Sequence, residues 1–205
     1  MASDLIFYTN PMSRGRIVRW MLEEVGASYD TVLLDYATTM KAPEFLAINP
    51  MGKVPAIVHR GVTVTEGAAI CAYLADAFPD AGLAPPVADR GAYYRWLFFA
   101  AGPIEAAVSD KARGVAVTPE QRPMIGYGSY DTTVDTLEEA VRGREHIAGD
   151  RFTAADVYVG AQVIWGCQFG TLPKRDAFTA YMDALTSRPA YQRAAEIDDA
   201  LMPKR

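Results

Sequence analysis

A serine stands just ahead of a helical pattern in the stretch Tyr8–Ser13, whose sequence is YTNPMS. Serine is a preferred N-cap residue in that position, whatever else it does. A hydroxyl at a helix N-terminus is also placed to stabilise an anion, because the helix dipole and the unpaired amides favour negative charge there. Ser13 is therefore the first candidate for chemistry, and both roles are compatible.

A second stretch, Asn49–Leu74, combines a proline, a turn and an acidic helix start. Val54-Pro55 precedes a short apolar run, and a proline that cannot donate to a central sheet belongs at the first position of a strand. We expect a cis peptide bond there. A turn leads to a second strand around 62–64, and Thr65-Glu66-Gly67 opens a helix. The pattern predicts a hairpin followed by a helix.

The elements before this stretch complete an α/β unit. Leu5 to Tyr8 and Tyr29 to Leu34 read as strands, and the apolar residues of 16–25 recur at helical spacing. So short a crossover implies a parallel, right-handed unit. With a short helix near 43–48, the order is β-α-β-α-β-β-α, which is thioredoxin-like. We expect the charged residues of the first helix to face water; they are Arg19, Glu23 and Glu24.

The remainder of the chain shows only helical patterns. Proline, glycine and alanine dominate 79–88, as in a linker, and Gly102-Pro103 predicts a kink in the helix that follows. Thr153 and Asp156 read as a capping box that begins an almost wholly apolar helix. We therefore predict three parts: an α/β domain at 1–79, a linker at 80–88 and an all-α helical bundle at 89–205.

Composition excludes several classes of function. The chain has 205 residues, is 50% apolar and carries a net charge of -5, which argues against nucleic acid as a partner. Cys71 and Cys167 lie far apart without a CxxC, so neither a disulfide framework nor a metal site is expected. The start has too short an apolar run for a signal peptide, and no stretch suits a membrane span. We expect a cytoplasmic protein.

The order N-P-x-G-K-V-P, strand, turn, strand, T-E-x-A-A-I resembles the glutathione-binding domain of cytosolic glutathione transferases. The helical second half, with its T-x-x-D helix start and terminal S-R-P-A-Y, resembles that family as well. The resemblance implies that the backbone of Val54, before cis Pro55, binds the cysteinyl part of glutathione. It implies that Glu66 and the amide of Gly67 bind the γ-glutamyl end, although the family usually has serine where Gly67 stands. Lys41 and Lys53 match positions that reach the glycyl end.

Tyr8–Ser13 resembles the Y-x-x-P-M-S run of the serine-type enzymes, in which the serine hydroxyl donates to the thiolate. The resemblance makes Ser13 the catalytic residue. Tyr8 is a rival donor, because other branches use a tyrosine near the end of the first strand, and Asn10 is a further polar candidate. A hydroxyl cannot form a mixed disulfide, so serine points to conjugation rather than thiol-disulfide exchange.

The resemblance also implies a hydrophobic electrophile as second substrate and a homodimer as the assembly. The electrophile site is expected between the domains, although its residues are equally compatible with an interdomain core; they are Met12, Trp96, Phe99, Ala100 and Pro103. The expected function is glutathione conjugation in detoxification, with glutathione as co-substrate and no metal. Two alternatives stay open: a non-catalytic binding or regulatory protein, and a glutathione-dependent isomerase, dehalogenase or peroxidase.

Overall fold

A four-stranded mixed sheet forms the first part of the chain. The computed structural model describes residues 3–202. The strand order is β2-β1-β3-β4, with β1 parallel to β2 and antiparallel to β3, and β3 antiparallel to β4. The strands are β1 (Leu5–Thr9), β2 (Asp30–Leu33), β3 (Ala56–His59) and β4 (Val62–Thr65). The predicted β-α-β-α-β-β-α order and thioredoxin-like fold are confirmed.

Three helices connect and cover these strands: α1 (Gly15–Val25), α2 (Pro43–Leu46) and α3 (Gly67–Ala77). The apolar residues of α1, among them Ile17 and Met21, are buried as their spacing predicts. Gly26 ends the helix in the left-handed conformation (φ 64°), where a glycine carries no Cβ penalty. The short crossover through α1 makes β1 and β2 parallel.

The charged face of α1 is not exposed to water as predicted. Arg19 is 1% exposed, and its guanidinium lies over the Phe7 ring at 5.0 Å and binds Asp198 at 3.0 Å. Glu23 and Glu24 likewise bind arginines near the C-terminus of the chain. The prediction was wrong because a later helix with complementary charges covers this face of α1.

The second part of the chain, over its described length, consists of helices joined by turns and irregular segments, as the sequence predicts. The expected break at Gly102-Pro103 is confirmed as a π-helical segment, Ala100–Ile104, between two α-helices. Proline has no amide hydrogen to donate, so the local hydrogen-bond pattern widens around it. The helices are α4 (Gly91–Phe99), α5 (Glu105–Ala112), α6 (Tyr130–Val141), α7 (Ala154–Phe169), α8 (Asp176–Thr186) and α9 (Pro189–Ala200).

The predicted capping box begins α7, the most buried helix. The Thr153 hydroxyl accepts from the amide of Ala155 at 3.3 Å, and Asp156 Oδ2 accepts from the amide of Thr153 at 2.9 Å. Asp156 Oδ1 also accepts from Ile147 N and from the Tyr181 hydroxyl. The aspartate thus fills the role usually taken by glutamate, and it joins the start of α7 to α8.

The contacts of the described chain define two compact units. One comprises the residues up to Leu83 together with those from Arg188 onward, and the other comprises Ala84–Ser187. The sequence pattern assigns the last helix to the helical domain, whereas in the structure α9 packs along α1. None of the described helices is both long enough and apolar enough to cross a membrane.

Candidate functional site

The register of the sheet brings three segments to one edge of the first unit. Tyr8 pairs with Ala56, and Ala56 pairs with Thr65, so these residues form one row across β1, β3 and β4. The segment that follows β1, the proline that precedes β3 and the helix start that follows β4 all leave the sheet beside this row. Ser13, Pro55 and Glu66 therefore belong to neighbouring segments, as a joint site requires.

Ser13 is half-buried in a tight turn before α1. Its hydroxyl donates to the carbonyl of Asn10 at 2.7 Å and accepts from the amide of Gly15 at 2.9 Å. The N-cap of α1 is Arg14, one residue later than the sequence predicts, and the Ser13 hydroxyl satisfies the first amide of the helix from the position before the cap. Its hydroxyl proton reaches another acceptor only by leaving Asn10 O, which also accepts from Ser13 N at 3.1 Å and so keeps one partner.

The Asn10 side chain stabilises this turn through hydrogen bonds at both ends of its amide. Its amide nitrogen donates to Leu34 O at 2.8 Å, and its amide oxygen accepts from Met12 N at 2.9 Å. Both ends of the side chain are thus engaged within the protein, which ties the turn to the end of β2. This arrangement suits a positioning role better than a role as a donor to a ligand.

Gly15 allows α1 to begin close to β1. A Cβ at this position would lie 1.9 Å from Thr9 Oγ1 and 2.9 Å from Ser13 Oγ, so no side chain fits without displacing one of them. Thr9 is completely buried, and its hydroxyl lies against this glycine. The position of Ser13 therefore depends on a close backbone approach that only glycine permits.

Tyr8 points to the face of the sheet opposite α1. Its ring packs against Phe45 of α2 with centroids 5.6 Å apart, in a cluster with Leu34, Met40 and Ala56. The neighbouring residues Phe7 and Thr9 instead face α1, because side chains alternate along a strand. The environment of Tyr8 is that of a core aromatic residue.

The peptide bond between Val54 and Pro55 is cis, as expected, and Pro55 is buried. The preceding turn is held by Asn49, which is 4% exposed. The Asn49 side chain donates to Lys53 O at 2.7 Å and accepts from Met51 N at 3.1 Å. This side chain fixes the backbone that leads into the cis bond.

The two lysines lie in and beside this turn. Lys41 Nζ donates to Gly52 O at 2.8 Å, whereas the side chain of Lys53 is exposed. Gly52 has a φ of 57°, and a Cβ there would lie 2.7 Å from Met40 O. Lys41 is therefore anchored next to the turn, and two of its three ammonium hydrogens stay available for another acceptor.

Glu66 has a backbone conformation that side chains rarely adopt. Its φ is 65° and its ψ is 116°, immediately before Gly67 begins α3. A non-glycine residue in such a region costs of order 1–3 kcal/mol, and residues of this kind concentrate at ligand sites. The side chain is exposed, so its carboxylate is accessible at the edge defined above.

The residues expected around an electrophile lie in both units. Met12 is 61% exposed in the turn that holds Ser13. The Trp96 and Phe99 rings of α4 form an edge-to-face pair at 5.5 Å, and Ala100 and Pro103 belong to the π-helical segment. Trp96 is 6% exposed and Ala100 is completely buried, so both are core residues, whereas Phe99 and Pro103 are half-buried. A π-helical turn is a frequent feature of functional sites.

The cysteines do not take part in this site. Cys71 and Cys167 are free and buried, and burial raises the pKa of both thiols above the ordinary value. Both thiols therefore stay protonated at neutral pH and are poor nucleophiles. Within residues 3–202, no group of three or more His, Cys, Asp or Glu side chains is placed to hold a metal ion.

Comparison with known proteins identifies the family. Residues 3–76 match the model of the glutathione S-transferase N-terminal domain. Glutathione S-transferase GstA of Escherichia coli O157:H7 is 30% identical over 179 residues, which cover 84% of this chain and 88% of that protein. The chain belongs to the glutathione S-transferase family. Membership assigns it to a family of enzymes and agrees with the fold.

Solved glutathione transferases superpose on this chain over nearly its whole length. The enzyme from Methylococcus capsulatus strain Bath has a TM-score of 0.78 and 28% identity and covers 96% of this chain and 99% of its own. A sphingomonad glutathione S-transferase, solved in complex with glutathione, has a TM-score of 0.76 and 29% identity, with coverages of 95% and 98%.

Two residues that shape this candidate site were not singled out from the sequence: Gly15, and Tyr36, whose hydroxyl donates to Met12 O at 3.0 Å. Asn49 and Gly52 belong to the N-P-x-G-K-V-P motif, but the sequence assigned them no structural role. The signal for Gly15 was weak, since it stands between two arginines. An exposed tyrosine that binds a carbonyl 24 residues away leaves no local pattern.

Proposed function

We propose that this protein is a glutathione transferase in which Ser13 ionises bound glutathione, and that the thiolate then attacks a hydrophobic electrophile. The observation that carries the proposal is the row formed by Tyr8, Ala56 and Thr65, from which the Ser13 turn, the cis proline and the Glu66 helix start all leave the sheet. The sphingomonad relative, complexed with glutathione, supports glutathione as the ligand.

Each part of glutathione has a partner in the proposed site. The backbone of Val54, held before the cis bond, binds the cysteinyl unit. Glu66 pairs with the γ-glutamyl ammonium, and the amide of Gly67 at the start of α3 receives the adjoining carboxylate. Lys41 and Lys53 receive the glycyl carboxylate. Gly67 supplies an amide but no hydroxyl, so binding at this end depends on the backbone and on Glu66.

The energies show that Ser13 suffices as an activating group. Lowering the pKa of a thiol by about two units from about 8.5 requires roughly 2.7 kcal/mol of preference for the thiolate. A hydrogen bond to a charged group contributes about 1.5–3 kcal/mol, and a helix N-terminus adds about 0.3–1 kcal/mol. The Ser13 hydroxyl donates to the thiolate when it releases Asn10 O, and it still accepts from the amide of Gly15.

The second substrate and the assembly complete the proposal. For the electrophile we propose apolar contacts from Met12, Phe99 and Pro103, whose side chains are at least partly accessible, whereas Trp96 and Ala100 are buried. Such contacts suit aromatic halides, isothiocyanates, epoxides or hydroperoxides. We further propose a cytoplasmic homodimer that acts in detoxification, on the basis of family membership. The sequence-based division into residues 1–79, the linker 80–88 and residues 89–205 stays a proposal, with α9 of the last part packed on α1 of the first.

A conjugation assay with an activated aryl halide tests this function. The thioether product and the loss of glutathione thiol are measured for the wild type, for Ser13→Ala and for Ser28→Ala, a control that removes an exposed hydroxyl of the same unit. We expect stoichiometric product and thiol loss in the wild type. Ser13→Ala should lower kcat/KM by about 10- to 100-fold, the value of one charged hydrogen bond, and the control should stay within about twofold.

Three results would contradict the proposal, and each indicates a different function or mechanism. Retention on immobilised glutathione without turnover of any electrophile class indicates a binding protein. Conversion of a substrate without net consumption of glutathione indicates an isomerase. A wild-type rate that Ser13→Ala leaves unchanged removes Ser13 from the mechanism.

A further inference from the structure

Helix α9 packs antiparallel to α1 through four arginine–carboxylate pairs, which we call the α1–α9 ladder. The N-terminal half of α1 contributes two arginines and its C-terminal half two glutamates, and α9 offers the opposite charges in reverse order. Between them, the Trp20 and Tyr191 rings meet edge to face at 5.0 Å. The pairs are Arg16–Asp199, Arg19–Asp198, Glu23–Arg193 and Glu24–Arg188.

The charges of the ladder oppose the dipole of each helix considered alone. Near the N-terminus of α1 the ladder has Arg16, and near the C-terminus of α9 it has Asp198 and Asp199, each the unfavourable sign for its helix end. Their placement is therefore not explained by helix stability. It is explained by pairing between the helices, which fixes the register of α9 along α1.

Arg16 connects the ladder to the turn that holds Ser13. Its Nε donates to Pro11 O at 2.6 Å while its other end binds Asp199. The neighbouring carbonyls of the turn are bound as well: Asn10 O by Ser13, and Met12 O by the Tyr36 hydroxyl. The carbonyl groups of Asn10, Pro11 and Met12 are thus each bound by a different side chain. Arg16 binds the middle one.

We propose that Arg16, oriented by Asp199 at the end of α9, is a positioning residue that sets the geometry of the Ser13 turn and thereby the pKa of bound glutathione. The second part rests on the proposed function. Asp199 is 67% exposed, so its ion pair adds little to stability. A planar guanidinium donates to a carbonyl and a carboxylate together, and a lysine ammonium does not reproduce this fork. The function of the pair is therefore orientation rather than stability.

The test compares two disrupting variants with two controls. Asp199→Asn and Arg16→Lys act on the link to the turn. Glu196→Gln makes the same charge change on an exposed face of α9, and Arg193→Gln breaks a pair of the ladder that does not reach the turn. Hydrogen–deuterium exchange of residues 10–16 is measured in the ligand-free proteins, and the thiol pKa, kcat and KM for glutathione are measured in the complexes.

We expect faster exchange in 10–16 for Asp199→Asn and Arg16→Lys and unchanged exchange there for both controls. The same two variants should raise the thiol pKa and lower kcat about tenfold, with KM for glutathione within about twofold, because the groups that bind its backbone are untouched. Combining the two changes should lower kcat no further than Arg16→Lys alone, since they act through one chain of contacts.

Unchanged exchange in both disrupting variants would overturn the inference, and so would an equal loss of kcat in Arg193→Gln, which would reflect helix docking in general. A wild type that binds glutathione without lowering its thiol pKa would refute the proposed function instead. The exchange data would in that case still decide whether Arg16 positions the turn.

Discussion

Gly15 is the residue at which one added methyl group should disturb the Ser13 turn most. In Gly15→Ala the new Cβ would fall 1.9 Å from Thr9 Oγ1. We expect the free energy of unfolding to fall by about 1–3 kcal/mol, as for an overpacked core, and kcat to fall with it. Chemical denaturation and turnover measure both effects.

Gly91→Ala is the matched control for this substitution. Gly91 is also the first residue of its helix, but nothing lies within 4 Å of its Cβ position. Alanine there should leave stability unchanged or raise it slightly, since it is the better helix former. Equal losses of stability in the two variants would contradict the close approach described for Gly15.

Substitution of Glu66 by glycine should weaken glutathione binding without lowering the stability of the fold. Glycine tolerates a φ of 65°, so Glu66→Gly relieves the backbone while it removes the carboxylate. We expect equal or greater thermal stability and an affinity for glutathione about 10- to 100-fold lower, the value of a hydrogen bond between charged groups. Scanning calorimetry measures the thermal stability, and titration calorimetry measures the affinity for glutathione. Unchanged affinity would remove Glu66 from the proposed site.

The sequence points to candidate site residues where a local pattern marks them. A serine before a helix, a proline before an apolar run and an acid at a helix start are all readable from neighbours in the chain. Tyr36 was missed because its hydroxyl binds a carbonyl 24 residues away, which no short-range pattern marks. The roles assigned to Ser13, Glu66 and the lysines stay predictions.

At the scale of the element, the buried pair of Arg19 and Asp198 determines how α9 docks on α1. Asp198→Ala leaves the Arg19 charge buried with neither a counter-ion nor an acceptor for its Nε. We expect the free energy of unfolding to fall by about 3–5 kcal/mol at neutral pH, as for one partner of a buried pair. Glu196→Gln, on the exposed side of α9, should change it little. Denaturant unfolding of both variants measures the difference.

The effect of Asp198→Ala should also depend on pH, because a protonated Asp198 still offers Arg19 an acceptor and alanine offers none. Burial raises the pKa of the Asp198 carboxyl above its ordinary 3.8, with Arg19 opposing the shift. The folded protein therefore binds a proton before the unfolded chain does, so this group adds stability as pH falls between the two pKa values and loses it as pH rises. The gap between wild type and variant should widen on acidification through that window. A constant gap would mean that the pKa of Asp198 is not raised.

The charge pattern of α1 led to the wrong prediction that its charged face is exposed to water. Its apolar stripe is correct, but an arginine and two glutamates on the other face look the same whether they meet water or a partner helix. Only the complementary charges of α9, more than 160 residues away, distinguish the two cases. By contrast, the capping box of α7 and the break at Pro103 are local features, and the sequence predicts both correctly.

At the scale of the whole molecule, the described residues up to Leu83 and those from Arg188 to Met202 belong to the same compact unit. The order of strands and helices, and hence the family, could be predicted because each element carries its own periodicity. The return of α9 to α1 could not, because it depends on pairing between distant residues and on no signal inside α9. The ladder is therefore where the structure adds most to the sequence.

The central claim is that Ser13 ionises glutathione in this transferase, and the pH titration of thiolate ultraviolet absorbance for bound glutathione tests it most directly. The wild type should titrate well below the value of about 8.5 for an ordinary thiol. Ser13→Ala should restore the higher value, and Tyr8→Phe should not, because Tyr8 faces the opposite side of the sheet. Bound glutathione that titrates like free glutathione, or a rise in Tyr8→Phe alone, would contradict the account.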